Sequence, residues 1–253
     1  MHRLLVPPES VQGRRVILTD PRRVHHLLRV LRAKPGDAVQ CADGAGRRLT
    51  GSVKTCSRRE VTIEITEQIQ EGPAAVRLTL AQALIQPQRF DWLVEKATEL
   101  GMARLVPFTS ARTTARGNEA GRQRVARWRR IAEEATAQCG RTMLPVIEEP
   151  ASFEALFDRL GPCAGLLPTM TETGRPLGQH LPLVQTMARR AMEGEGTAKL
   201  AVVIGPEGDF TPEEVARATR AGFGLVRLGP RILRSETAAL ATIAVIQQAL
   251  DTL

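Results

Sequence analysis

The sequence predicts an α/β protein in two parts, a small β-rich module over residues 1–72 and a larger domain over residues 73–253 built on a mainly parallel sheet. Three observations carry this. Apolar residues alternate at period two through Val39 and Cys41, through Leu49, Gly51 and Val53, and through Val61, Ile63 and Ile65, as half-buried strands require. From Val76 onward, unbroken apolar runs alternate with stretches whose apolar residues recur at helical spacing, the pattern of parallel strands covered by helices. Glu71-Gly72-Pro73 separates the two regimes.

In the first part, Pro35-Gly36-Asp37, Asp43-Gly44 and Cys56-Ser57-Arg58-Arg59 supply the turns between strands. One brief helix is expected between Asp20 and Lys34. There Val24, Leu27, Leu28 and Leu31 recur at helical spacing, Asp20 serves as N-cap and Pro21 suits the first turn. In the second part, residues 76–85 give a strand. Phe90, Leu93, Val94 and Ala97 give one face of a helix over 87–100 that stops at Gly101. A strand at 105–108 precedes a helix over 119–139, whose apolar stripe runs through Val125, Trp128, Ile131 or Ala132, and Ala135, and whose other face is rich in arginine. Strands are expected at 144–147, 163–167, 199–204 and 224–228, and helices near 151–159, 178–192, 211–221 and 235–250. The Gly- and Glu-rich stretch 191–198 reads as a surface loop. Trp92 and Trp128 read as core residues.

The composition, 43% hydrophobic and 25% charged, is that of an ordinary soluble protein able to fold without staples. The formal net charge of +8 points to an anionic partner, and residues 1–72 hold 13 Lys and Arg against 8 Asp and Glu, the denser share. Arginine outnumbers lysine 31 to 4, which fits phosphate recognition but reads rather as the mark of a GC-rich genome. Cys41, Cys56, Cys139 and Cys163 are scattered, with no C-x-x-C and no histidine nearby, so no metal is expected. The apolar run at the N-terminus is too short for a signal peptide and no stretch reaches membrane-spanning length. A cytoplasmic protein with reduced thiols and no membrane partner is therefore expected.

Two loops stand out as places for chemistry. The apolar run 200–204 stops abruptly at Gly205-Pro206-Glu207-Gly208-Asp209-Phe210, and Thr211-Pro212-Glu213-Glu214 then forms a capping box that opens a helix. Ligands of open α/β sheets bind outside such strand ends, although an ordinary β-α turn has the same composition. No Gly-Lys-Ser or Gly-Lys-Thr follows, which disfavours a phosphate loop. The second loop is Leu228-Gly229-Pro230-Arg231-Ile232-Leu233-Arg234, leading through Ser235-Glu236-Thr237 into a helix rich in alanine. Ser235, Glu236 and Thr237 are able to cap that helix. Arg234 sits where a helix dipole disfavours a cation, so an anionic or electron-rich ligand nearby would explain it.

Four stretches together resemble the SPOUT-class methyltransferases, and within them the bacterial 16S ribosomal RNA uridine N3-methyltransferases. They are Arg22-Arg23-Val24-His25-His26-Leu27-Leu28-Arg29-Val30-Leu31-Arg32 with Gly36-Asp37, then Lys96-Ala97-Thr98-Glu99-Leu100-Gly101, then Gly205-Pro206-Glu207-Gly208, and Arg231-Ile232-Leu233-Arg234-Ser235-Glu236-Thr237-Ala238. The resemblance implies an N-terminal PUA-like barrel that binds RNA and a C-terminal SPOUT α/β domain with a trefoil knot near 200–240. It also implies a homodimer, with 16S rRNA or the small ribosomal subunit as partner and S-adenosyl-L-methionine as methyl donor. By the same resemblance Leu167, Ile204, Gly205, Glu207, Gly208, Leu228, Gly229, Ile232, Leu233, Arg234 and Thr237 surround the cofactor. Asp209 stands where the family commonly has a second glycine, a departure that bears on the backbone of the loop.

In the reaction so implied, a uridine N3 must lose a proton as it gains a methyl group, and a base or a cation that stabilises the uridinate accelerates this. Glu236 and Glu207 are the candidates for base or orienting group, and Arg234 for electrostatic stabiliser. For RNA contact the candidates are Arg22, Arg23, His26, Arg29 and Arg32 in the first part, and Arg112 and Arg116 in a loop after a strand end. Two other readings keep part of this picture: the same chemistry on another rRNA or tRNA site, and a non-catalytic RNA-binding factor in ribosome assembly.

Overall fold

The period-two alternation of the first part folds as a six-stranded sheet of β1 (His2–Leu5), β2 (Val11–Gln12), β3 (Arg15–Leu18), β4 (Ala38–Ala42), β5 (Arg47–Cys56) and β6 (Val61–Gln70). In the computed structural model, which describes residues 1–114, 121–171 and 173–250, the strand order is β1-β4-β5-β6-β3-β2. All pairs are antiparallel except β1 with β4. β1 and β2 form the two ends of that order. The buried face gathers Val16, Val39, Leu49, Val53 and Ile63 with Val24 and Leu27 from the helical segment between β3 and β4. That segment is α1 (Pro21–His25), extended by a wider turn through Val30. The Asp20 carboxylate caps it by accepting from the backbone N–H groups of Arg22 and Arg23. β1, β2 and β3 escape the sequence pattern because each has four residues or fewer, too few for alternation to show.

This first unit comprises Met1–Pro73 and also Glu133–Leu144. The later segment joins it through backbone bonds from Gly46 to the Thr142 carbonyl and from Leu144 to the Gly44 carbonyl, and the Thr142 hydroxyl donates to the Glu71 carboxylate. The expected strand at 144–147 is correspondingly shorter, since Leu144 is engaged in the first unit.

The second unit, Ala74–Ala132 and Pro145–Leu253, holds the remaining strands. They are β7 (Val76–Ala83), β8 (Arg104–Thr109), β9 (Val146–Ile147), β10 (Ala151–Ser152), β11 (Ala164–Pro168), β12 (Arg175–Pro176), β13 (Ala198–Ile204) and β14 (Phe223–Arg227). The order is β10-β8-β7-β13-β11-β14-β12, with β9 beside β8, and every pair is parallel. Between them run α2 (Pro87–Glu99), α3 (Gly121–Cys139), whose residues from Glu133 on belong to the first unit, α4 (Phe153–Leu160), α5 (Leu181–Arg190), α6 (Pro212–Arg220) and α7 (Ser235–Ala249). Helical turns continue past α5 to Glu195, where a loop was expected.

Because the sheet is covered on both faces, alternate residues of one strand enter different cores. Leu78 and Leu80 of β7 pack with α2, α3, α5 and α7, while Ala81 and Ala83 pack with α4, α6 and the rings of Phe108, Phe153 and Phe210. Trp128 is buried in the first of these cores, its ring centroid 4.3 Å from that of Phe90 and its plane tilted by 32° to it. Trp92 is 47% exposed and so is not a core residue, its position on α2 lying outside the Phe90–Leu93–Val94–Ala97 stripe.

Candidate active site

β11, β13 and β14 are neighbours in the sheet, and all three end on the same side because they are parallel. The loops after them enclose a cavity of about 570 Å³, within the usual size of small-molecule sites. The walls are Pro168, Thr169 and Met170 at the end of β11 and beyond it, residues 204–207 and Asp209 at the end of β13 and beyond it, and residues 227–235 with Ala238 from the end of β14 into α7. Among the described residues, no backbone N–H or C=O of residues 229–233 takes part in a backbone hydrogen bond, so this wall offers donors and acceptors to a ligand.

The loop after β13 is shaped by its own side chains. Phe210 is buried against Phe108 and Phe153 and anchors the loop's far end. A Cβ on Gly205 would come within 3.1 Å of the Phe210 ring, so a larger residue there would require the ring to give by a few tenths of an ångström. The Thr211 hydroxyl accepts from the Glu214 backbone N–H and the Glu214 carboxylate accepts from Thr211, so the capping box forms as the spacing predicts. The other oxygen of Glu214 accepts from the Ala111 N–H at 2.9 Å, which ties the loop after β8 to this helix start. Asp209 takes φ of 58°, a left-handed conformation that favours glycine and that aspartate tolerates better than most residues. Its carboxylate accepts from the Thr169 hydroxyl at 3.1 Å and the Met170 N–H at 3.0 Å.

The loop after β14 enters α7 with Arg234 at the N-cap position, and that side chain makes no capping bond. The cap therefore falls one residue before the expected Ser235-Glu236-Thr237. The Ser235 hydroxyl instead donates to the Gly205 carbonyl at 2.5 Å, joining the two loops. Glu236, buried in the first turn, faces Arg89 of α2 at 3.8 Å, and the same guanidinium stands 3.8 Å from Glu207. Arg89 thus lies between the two candidate carboxylates. Glu236 Oε2 is buried with no hydrogen-bond partner among the described residues.

Of the residues expected at the cofactor, Ile204, Gly205, Glu207, Leu228, Gly229, Ile232, Leu233 and Arg234 line the cavity. Leu167, Gly208 and Thr237 do not. Leu167 alternates into the core beside Phe108, leaving Pro168 at the wall. Gly208 is turned to Arg112, whose guanidinium donates to its carbonyl at 2.8 Å, and a Cβ there would meet Arg112 at 3.2 Å. Thr237 is exposed on α7. Glu236 stands behind the wall rather than on it.

In the first unit Arg22, His26, Arg29 and Arg32 are exposed, while Arg23 is half-buried and donates to the Leu5 carbonyl, a structural contact. Arg116 lies outside the described residues. Arg89 and Gln82 escaped the sequence reading. Only the polar character of Gln82 within an apolar run offered a signal. Among the described residues there is no cluster of three or more His, Cys, Asp or Glu suited to a metal ion, and no helix is long and apolar enough to cross a membrane.

The family described as RNA methyltransferase domain matches residues 72–247, and that described as RNA methyltransferase PUA domain matches residues 18–66. The chain is 30% identical over 253 residues to Ribosomal RNA small subunit methyltransferase E of Synechocystis sp., covering 99% of this chain and 78% of that protein. To the Bacillus subtilis protein of the same name it is 29% identical over 229 residues, 88% of this chain and 86% of the other. Among solved structures, Ribosomal RNA small subunit methyltransferase E from Neisseria gonorrhoeae, bound to S-adenosyl methionine, superposes with a TM-score of 0.82 at 28% identity, covering 98% of this chain and 97% of that one. A Legionella pneumophila structure in complex with the cofactor SAM gives 0.83 at 26% identity, again over 98% and 97% of the two chains.

Proposed function

We propose, from the premise that this chain belongs to the RNA methyltransferase family, that it methylates N3 of a uridine in the 16S rRNA of the small ribosomal subunit with S-adenosyl-L-methionine as donor. The observation that carries the reading is the cavity between the loops after β11, β13 and β14. It is large enough for an adenosyl group, walled by unengaged backbone, and bordered by Glu207, Arg234 and, through Arg89, Glu236. The residues present therefore fit the cofactor. Ile204, Gly205, Leu228, Gly229, Ile232 and Leu233 would hold it, with the neighbouring Leu167, Gly208 and Thr237 supporting the same loops.

When bound, the donor supplies an electrophilic methyl on a sulfonium, so the chain's own residues have to position the base and manage one proton. Glu207, on the cavity wall, accepts the N3 proton. Glu236 orients it through the shared Arg89 guanidinium, and the exposed Arg234 stabilises the uridinate as charge develops. RNA is gripped by Arg22, His26, Arg29 and Arg32 in the first unit and by Arg112, with Arg116 in the same segment of sequence and Arg23 in support.

The same reading takes residues 1–72 as a PUA-like barrel and residues 73–253 as a SPOUT domain knotted near 200–240, acting as a cytoplasmic homodimer. The matched families support this division, the compact units support it apart from Glu133–Leu144, which returns to the first unit, and the resemblance of the four sequence stretches supports the knot, the barrel and the dimer. The test is to incubate the protein with labelled S-adenosyl-L-methionine and small subunits from cells lacking it, then analyse nucleosides. Label in 3-methyluridine is expected. Label in another nucleoside would point to another rRNA or tRNA site, and absence of cofactor binding would leave a non-catalytic assembly factor.

A further inference from the structure

Gln82 is the one fully buried amide in β7, set opposite Ile204 of β13 in a strand whose neighbours are apolar. A buried polar group persists where its hydrogen bonds do something that an apolar residue of the same size would not. The Gln82 amide nitrogen donates to the Ala83 carbonyl at 3.0 Å and to the Ser235 oxygen at 2.8 Å. Ser235 Oγ in turn donates to the Gly205 carbonyl at 2.5 Å.

The order of donors along this chain is forced. An amide nitrogen only donates, so the Ser235 oxygen must receive from Gln82, and its single proton is left for Gly205. Turning the Gln82 amide over would set its oxygen against the Ala83 carbonyl and remove that constraint. Gly205 and Ser235 both line the cavity, one in the loop after β13 and the other at the start of α7, whereas Gln82 lies behind them. The chain therefore joins the cavity's two main walls to the centre of the sheet.

We propose that Gln82 is a positioning residue for the cofactor site: acting through Ser235, it sets the spacing and the backbone direction of the two loops that enclose the methyl donor. The proposal rests on the reading that this cavity takes S-adenosyl-L-methionine, and its effect falls on donor binding rather than on the grip on RNA.

The test compares Gln82→Leu, Ser235→Ala, Ser235→Thr and the double variant Gln82→Leu/Ser235→Ala. Donor affinity is measured by calorimetry, KM for the small subunit by turnover, and thermal midpoint by scanning. Gln82 Oε1 is buried without a partner among the described residues, so replacement by leucine removes an unpaired oxygen along with the donor bonds and is expected to leave the midpoint nearly unchanged. Each of Gln82→Leu and Ser235→Ala is expected to weaken donor binding by roughly tenfold, the scale of one lost buried hydrogen bond. The double variant should be no weaker than either single one, Ser235→Thr should bind as the wild type does, and KM for the subunit should hold. Wild-type donor affinity in both single variants overturns the proposal. So does additive weakening, or a loss that tracks the thermal midpoint and is not rescued by threonine. A wild-type chain that binds no donor defeats the functional reading itself, a result distinct from these.

Discussion

The Asp209 carboxylate accepts the Met170 backbone N–H at 3.0 Å, and so fastens the loop after β13 to the loop after β11, both residues lining the cavity. Asp209 does this from φ of 58°, so one residue supplies both the left-handed turn and the tether.

These two roles separate on substitution. Asp209→Gly keeps the turn and loses the tether, and donor affinity is expected to fall roughly tenfold, as for one or two hydrogen bonds to a charged acceptor. Asp209→Ala loses the tether and keeps a Cβ in the left-handed region without the tolerance for it that aspartate has, so it should be less stable than the glycine variant by about 1 kcal/mol. Calorimetric titration should find the two variants equally weak for the donor, while thermal melts should find the alanine variant the less stable of the two. An alanine variant that binds as tightly as the wild type rules out the tether.

Arg89 stands 3.8 Å from both Glu207 and Glu236, and its removal leaves a buried carboxylate beside an exposed one with no shared cation. Arg89→Ala is expected to lower kcat by about 10²-fold, the scale of losing one electrostatic partner in an active site, with a smaller change in donor affinity. Arg89→Lys keeps the charge but not the fork, and should recover part of the loss. Single-turnover kinetics on small subunits separates these outcomes. A fall in donor affinity with kcat intact would place Arg89 in cofactor binding instead.

What was legible in the sequence is what neighbouring residues decide among themselves. The Asp20 cap, the Thr211–Glu214 capping box and the buried run of β13 each depend on a few consecutive positions, and the structure shows each of them. The cavity wall at 204–207 and 228–234 was legible because glycine and proline at strand ends mark loops whatever the tertiary context. Arg89 was not, since its partners lie more than a hundred residues further along the chain. That Leu167 faces the core and Pro168 the cavity was not legible either, because resemblance gives a stretch and not which face of the strand a side chain takes. The return of Glu133–Leu144 to the first unit rests on hydrogen bonds to Gly44, Gly46 and Glu71, and no local pattern announces it.

The exposed arginines differ from the anchored one in a measurable way. Arg29 is exposed, and Arg112 is exposed while bonded to Gly208, so both remain available to phosphate. Arg29→Ala and Arg112→Ala should each weaken RNA binding and reduce the slope of log K against log salt by about 1. Arg23 donates to the Leu5 carbonyl, so Arg23→Ala should lower the thermal midpoint with little change in slope. Filter binding across a salt series reads the slopes, and an unchanged slope for Arg29→Ala removes that residue from the interface.

Asp43 makes the first unit's stability depend on pH. Its side chain is 1% exposed and closes the turn between β4 and β5. Burial pushes its carboxyl up. The Arg47 guanidinium at 2.5 Å and the backbone N–H groups of Arg47 and Ala45 more than offset this, holding it below the usual carboxylate range. The folded chain then releases this proton at lower pH than the unfolded chain, whose aspartates titrate near pH ~4. The stabilisation is complete above that value and is lost as pH falls through the depressed folded value. Asp43→Ala should cost about 2 kcal/mol at neutral pH, as expected for unpairing a charged acceptor from buried donors. Its midpoint should also fall less steeply than that of the wild type between neutral pH and pH ~3, where the wild-type carboxylate is itself being protonated. Parallel melting curves for the two proteins across that range would show that Asp43 contributes no pH-linked stability.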